Sequence, residues 1–264
     1  MMNSSMTKAN GKRLLVYGII LYFAFIILDF LLRTLTHSII PPSLIITLPH
    51  FMISLVLGLT CYYLIKTDRI FKKTIKFSLS THILLGTLVI LLSLIALFIL
   101  GVPKDIQTIL SGGVNLTLVS FFTALSAGVF EELLVRGLIF AGFWKLLQGS
   151  SLKLFWSALL SSGLFGLFHL YNLTQSSFTA VSQQVLYATA LGLIFAILRI
   201  KLNSLWLAIM LHTLLDFQPT ISASVASENS WASILIITVP LLVVSVFTLL
   251  KMDKDYNNQF KRYE

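Results

Sequence analysis

The chain has 264 residues, of which 57% are hydrophobic and only 11% charged, with a mean hydropathy of +0.92. A soluble domain carries roughly 25% charged residues, so this chain cannot coat itself for water and belongs in a membrane. The net charge of +9 does not signal nucleic acid. The basic residues sit in short loops between apolar runs, where they set topology and meet anionic lipid headgroups.

Runs of about 20 apolar residues cross a bilayer core of roughly 30 Å. In lipid they must be helices, because a helix satisfies its own backbone hydrogen bonds. The short alternating segments of a membrane β-barrel do not occur. The pattern predicts an all-α polytopic membrane protein, a single integral-membrane domain over 1–264. About eight transmembrane helices fall at 14–35, 45–65, 83–102, 116–147, 154–173, 182–200, 204–218 and 231–250. The first run follows Lys8, Lys12 and Arg13. It is longer than the roughly 7–15-residue core of a signal peptide, so a retained span is expected. The fourth run is long and interrupted by charge, and the seventh is short. Turn residues mark the loops at Pro41-Pro42, Pro103, Ser111-Gly112-Gly113, Gly149-Ser150-Ser151 and Pro219. The single cysteine, Cys61, excludes an internal disulfide.

Charge tests this division independently. With the N-terminus in the cytoplasm and loops alternating, the inside segments hold Lys8, Lys12, Arg13, then Lys66, Arg69, Lys72, Lys73, Lys76, then Lys145, Lys153, then Arg199, Lys201, and finally Lys251, Lys254, Lys261, Arg262. That is 16 of the 19 basic residues. Arg33 and Lys104 fall outside, and Arg136 is within a span. The bias favours eight spans in a cytoplasmic membrane with both termini inside.

Asp29, Glu131, Glu132 and Asp216 lie inside the expected spans. Each ionised group at mid-bilayer costs on the order of 3 kcal/mol, so such residues face the bundle interior and have a partner or a task. Glu132 and Arg136 are at i and i+4, on one helix face, and can neutralise each other. Glu131 is rotated by about 100° and lacks that partner, which leaves it a candidate general base. The alternative is a charge cluster that only fixes helix packing. His169 and Asn172 are at i and i+3, so the amide is expected to orient the ring. Phe165, one turn earlier, would wall the site from lipid. Gly163 and Gly166 would let a neighbouring helix come close. His212 and Asp216 are at i and i+4, as a hydrogen-bonded couple or as two ligands of one metal. A lone core histidine and a simple buried His–Asp pair are the plainer readings. Asp29, His37, His50 and His82 are assigned no chemistry.

Glu131-Glu132-x-x-x-Arg136, then Phe165-x-x-x-His169, then His212-x-x-x-Asp216, in that order on separate helices, resemble the CPBP intramembrane proteases. That family comprises the CAAX prenyl proteases and the bacteriocin-processing or bacteriocin-immunity proteins. The resemblance covers about residues 115–218. It implies that Glu131 and His169 activate a water, that Glu132 is held beside Glu131 by Arg136, and that His212 and the residue four after it stabilise the oxyanion or bind a metal. Family members often carry Asn at that last place, where this chain has Asp216. An ionised Asp cannot donate to an oxyanion, so Asp216 is protonated, orients His212 or ligates metal. A divalent ion such as zinc on His169, His212 and Asp216, or a metal-free Glu/His pair, would each serve.

The resemblance thus implies an intramembrane endopeptidase acting on a membrane-associated peptide or protein, in bacteriocin or pheromone processing or self-immunity. A non-catalytic immunity or regulatory protein is the alternative. A transporter with a proton relay is the third reading, and no repeated pair of broken spans supports it.

Overall fold

Every backbone polar group in lipid needs a partner from its own segment, and the apolar runs answer with helices. The computed structural model describes residues 4–36, 43–219 and 228–260, and no strand occurs among them. His37, the Pro41-Pro42 turn, Lys261 and Arg262 lie outside the described residues. The helices are α1 (Ser4–Leu35), α2 (Leu44–Ile65), α3 (Leu79–Leu94), α4 (Val102–Ser111), α5 (Gly113–Glu132), α6 (Phe140–Leu146), α7 (Lys153–Phe168), α8 (Phe178–Leu202), α9 (Trp206–Leu215) and α10 (Trp231–Phe260). A π-helical segment, Leu133–Ile139, joins α5 to α6, so one helical run extends from Gly113 to Leu146. A second π segment, Ile95–Ile99, extends α3, and a 3-10 turn, His169–Thr174, ends α7.

Seven of these runs are long and apolar enough to cross a membrane. The eighth expected span, 204–218, is only the ten-residue α9, about 15 Å long and half a bilayer thick. It starts after Asn203, whose backbone is left-handed (φ 52°), and stops at Asp216. The alternation nevertheless holds. Asn203 is tied to the loop before α3, whereas Asn229 exchanges hydrogen bonds with Gln183 near the start of α8, at the opposite end of the bundle. The chain therefore still passes from one end to the other between Asn203 and Asn229.

α4 lies where a loop was expected. Pro103, taken as a turn signal, instead sits in the first turn, where its missing N–H is no loss. Val102 and Ile109 are buried while Lys104, Gln107 and Thr108 are exposed, which makes α4 a short amphipathic helix between two spans.

The lysine-rich segments gather at one end of the bundle. In the loop 66–78, Ile70 N and Phe71 N donate to Asn203 Oδ1 at 2.7 and 2.9 Å, and Ser204 Oγ donates to Asp68 Oδ2 at 3.1 Å. Arg199 donates to the Asp68 carbonyl. The last turns of α10 complete the clamp. Asp255 Oδ2 accepts from Ser78 N, Ser78 Oγ and Thr81 Oγ1 at 2.7–2.9 Å, capping α3. Asp253 accepts from Leu154 N and Phe155 N at 2.9 and 2.8 Å, capping α7. α10 therefore runs ten residues past its expected end at 250, because those turns stitch the loops together.

Replacing Asp253 with alanine should remove the α7 cap at a cost of about 1–2 kcal/mol. The thermal midpoint in detergent micelles, measured beside Asp253→Asn, checks this; an unchanged midpoint for Asp253→Ala would show that the cap contributes nothing.

Candidate active site

Close helix approach comes first. A Cβ at Gly128 of α5 would lie 2.2 Å from Thr213 Oγ1 and 3.0 Å from the Ile209 carbonyl of α9, so only glycine admits α9 there. Gly166 makes the same kind of approach to Thr189 and Val185 of α8, whereas Gly163, also expected to do so, faces open space. These contacts bring α5, α7, α8 and α9 around one polar cluster.

At its base, Arg136 Nη1 donates to Glu132 Oε1 at 2.8 Å, with both side chains fully buried. The guanidinium lies 4.4 Å from the centroid of Phe165 and 5.3 Å from that of Phe195. Arg136 Nε and Nη2 have no hydrogen-bond acceptor among the described residues, and the two ring faces take up that positive charge instead. The π segment begins one residue after Glu132; such wide turns are frequent at functional sites.

The same Oε1 of Glu132 lies 2.9 Å from His212 Nδ1. That contact assigns the proton to Nδ1 and points Nε2 the other way. Nε2 is 3.4 Å from Asp216 Oδ2 and 3.6 Å from Glu131 Oε2. Phe195 stacks on the His212 ring at 5.1 Å and 21°, and Phe165 meets it edge-on at 5.9 Å. The first and third motifs thus meet by direct contact, from helices 80 residues apart in sequence.

His169 caps α7. Its Nδ1 is 2.9 Å from the Phe165 carbonyl, so Nδ1–H donates and Nε2 keeps its lone pair. Phe165 packs edge-on against its ring at 5.0 Å. Glu131 interacts electrostatically with His169, His212 and Asp216. Asn172, expected to orient His169, instead donates to Gln184 Oε1 at 2.8 Å. The 3-10 turn packs against α8, which offers Asn172 the Gln184 amide, while the Phe165 carbonyl holds the His169 ring.

Exposure divides the cluster into two parts. Glu132 and Arg136 are 0% exposed and His212 8%, whereas Glu131 and Asp216 are 30% and 29% exposed. The inner trio can hold geometry, and the outer carboxylates can meet water or a substrate. Phe195, Tyr22, Gln184 and Tyr187 also belong here, and sequence gave no warning of them. Tyr187 interacts electrostatically with Asp216 and Glu131. Their only cue is polarity or aromaticity within an otherwise aliphatic run.

Among the described residues, no three His, Cys, Asp or Glu side chains are arranged to hold a metal ion. The expected set of His169, His212 and Asp216 is not gathered as ligands. His212 already spends Nδ1 on Glu132 and directs Nε2 at two carboxylates.

Removing Arg136 would leave buried Glu132 with His212 as its one remaining partner among the described residues. Arg136→Ala should destabilise the protein by about 3–5 kcal/mol. Adding Glu132→Ala should recover part of that loss in a double-mutant cycle read by thermal unfolding in detergent. Strictly additive losses would show that the pair does not act as a unit.

No curated protein and no solved structure matches the chain. Its residues 113–218, the stretch that carries every side chain of the three motifs, match the family model described as type II CAAX prenyl endopeptidase Rce1-like.

Proposed function

We propose that this protein is an intramembrane endopeptidase that hydrolyses a peptide bond in a membrane-associated peptide or protein. The observation that carries the reading is the meeting of His212 with Glu132 at 2.9 Å and with Glu131 and Asp216 at 3.6 and 3.4 Å, inside an apolar bundle. Structural ion pairs need mutual neutralisation and nothing more. Here Glu131 and Asp216 are left without a lysine or arginine partner among the described residues, and both are partly open.

The chemistry needs a base for water and a donor for the oxyanion. Glu131, within electrostatic reach of His169, takes a proton from a water molecule. The resulting hydroxide attacks the carbonyl carbon of the substrate. His212, in its protonated form, donates from Nδ1 to Glu132 and from Nε2 to the carbonyl oxygen as that oxygen gains charge. Asp216 keeps a proton on His212 and does not itself donate. The C–N bond then breaks, and the amine leaves with the proton that Glu131 took. Apolar walls strengthen each of these interactions by excluding bulk water.

The other route is a Lewis acid such as zinc, for which His169, His212 and Asp216 would first have to be brought together. Chelation separates the two routes. Turnover that survives a strong chelator supports the side-chain route, and loss that added zinc restores supports the metal.

The lysine-rich segments at one end of the bundle support both termini on the cytoplasmic side of a cytoplasmic membrane. A membrane-associated peptide substrate suits bacteriocin or peptide-pheromone processing, or self-immunity. Prenylated substrates are those named for the matched family.

Glu131→Gln keeps the shape of the side chain and removes the base. In proteoliposomes challenged with lipid-anchored peptides, cleavage should fall by roughly 10²–10⁴-fold with insertion unchanged. Full retained cleavage would remove Glu131 as the base. If Glu131→Gln retains a protective phenotype in cells, the non-catalytic immunity reading replaces this one. Asp216→Asn should keep turnover within about tenfold, since the amide still accepts from His212 and now also donates, whereas Asp216→Leu should lose more.

A further inference from the structure

Outside the segment 113–218, one side chain reaches the end of α7 where His169 sits. Tyr22 lies on α1. Its hydroxyl donates to the Phe168 carbonyl at 2.6 Å, and its ring stacks on that of Phe168 at 3.8 Å and 13°. Phe168 is the residue immediately before His169. Here α7 gives way to a 3-10 turn, and the carbonyls of a helix's last turn leave the regular ladder and must find other donors. Two carbonyls of that turn are taken by side chains: Phe165 by the His169 ring itself, and Phe168 by Tyr22. Tyr22 also lies within electrostatic reach of Glu131 and Tyr171.

We infer that Tyr22 is a positioning residue for His169: by gripping the preceding carbonyl and ring, it fixes where the Nε2 lone pair of His169 stands relative to Glu131. The peptide unit that Tyr22 holds links Phe168 to His169, so releasing it frees the Cα that carries the imidazole. A helix of the N-terminal part thereby completes a site whose reacting groups all come from 113–218. The catalytic meaning rests on the peptidase reading given above, while the positional claim does not.

The test is built to separate the two. Diethyl pyrocarbonate acylates the unprotonated ring nitrogen of histidine, and peptide mass spectrometry reads each site separately. Full-length protein in detergent is compared as wild type, Tyr22→Phe and Tyr17→Phe. Tyr17 is on the exposed face of the same helix and serves as the control. Tyr22→Phe keeps the stacking ring and deletes only the hydrogen bond. Acylation of His169 should speed up by about fivefold, the worth of one such bond, while exposed His82 and the Tyr17→Phe protein stay at wild-type rates. An unchanged rate at His169 overturns the inference. So does a common rise at His169, His212 and His82, which would mark a loosened bundle and a merely bracing role. Where wild type cleaves a peptide, Tyr22→Phe should lower kcat about tenfold with KM unchanged. If wild type cleaves nothing, the peptidase reading fails and the acylation rates still decide the placement of His169.

Discussion

Everything near the site depends on one buried charge being answered. Glu132 sits fully enclosed in a helix bundle that lies in lipid, where an unanswered carboxylate would cost several kcal/mol. Arg136 answers it from one turn away, and His212 answers the same oxygen from α9. A single carboxylate oxygen therefore fixes two partners, and through His212 it fixes the register of α9 against α5. Gly128 makes that register reachable, since a larger side chain would collide with Thr213. Phe165 and Phe195 then close over Arg136 and His212. The aromatic cover follows from the ion pair: a desolvated guanidinium with spare N–H groups is best met by ring faces when no further acceptor is at hand.

The rest of the fold serves to hold those helices upright. The work is moved to one end of the bundle. There the last turns of α10 present Asp253 and Asp255 to the starts of α7 and α3. Free N–H groups at a helix start carry positive character, so a carboxylate there is stabilised and the helix is fixed at its base. Asn203 does the equivalent for the loop 66–78 with three hydrogen bonds from one amide. α7 is thus anchored far from His169 and steered near it.

Local pairings were legible in the sequence wherever helix periodicity alone decides them. Glu132 with Arg136 and His212 with Asp216 are i, i+4 neighbours, and both are found. That the motifs converge was implied by the resemblance and by the expense of stranded charge in lipid. What sequence could not show depends on departures from a regular helix. Asn172 turns to Gln184 of α8 instead of His169, a partner that only tertiary packing supplies. The π segment after Glu132 changes which residues face inward, so Phe195 could not be assigned to Arg136 by counting. α9 was taken for a span because composition does not reveal where a helix stops. Pro103 was taken for a break, although the same residue also starts helices.

The inner trio and the outer carboxylates are distinct in kind, and the difference bears on why two adjacent glutamates are present. Adjacent helical residues point about 100° apart, so Glu131 and Glu132 cannot share one partner. Glu132 turns inward to Arg136, and its charge is spent on structure. Glu131 turns to the more open side, where His212 lies 3.6 Å away and no lysine or arginine pairs with it among the described residues. The bundle thus fixes one carboxylate firmly enough that its neighbour stays at a set distance from His212 while remaining partly open. A single glutamate could not do both, because the arginine that would hold it in lipid would also suppress its basicity. The Glu-Glu pair, with one arginine four residues after the second, separates those two requirements on a single turn of helix.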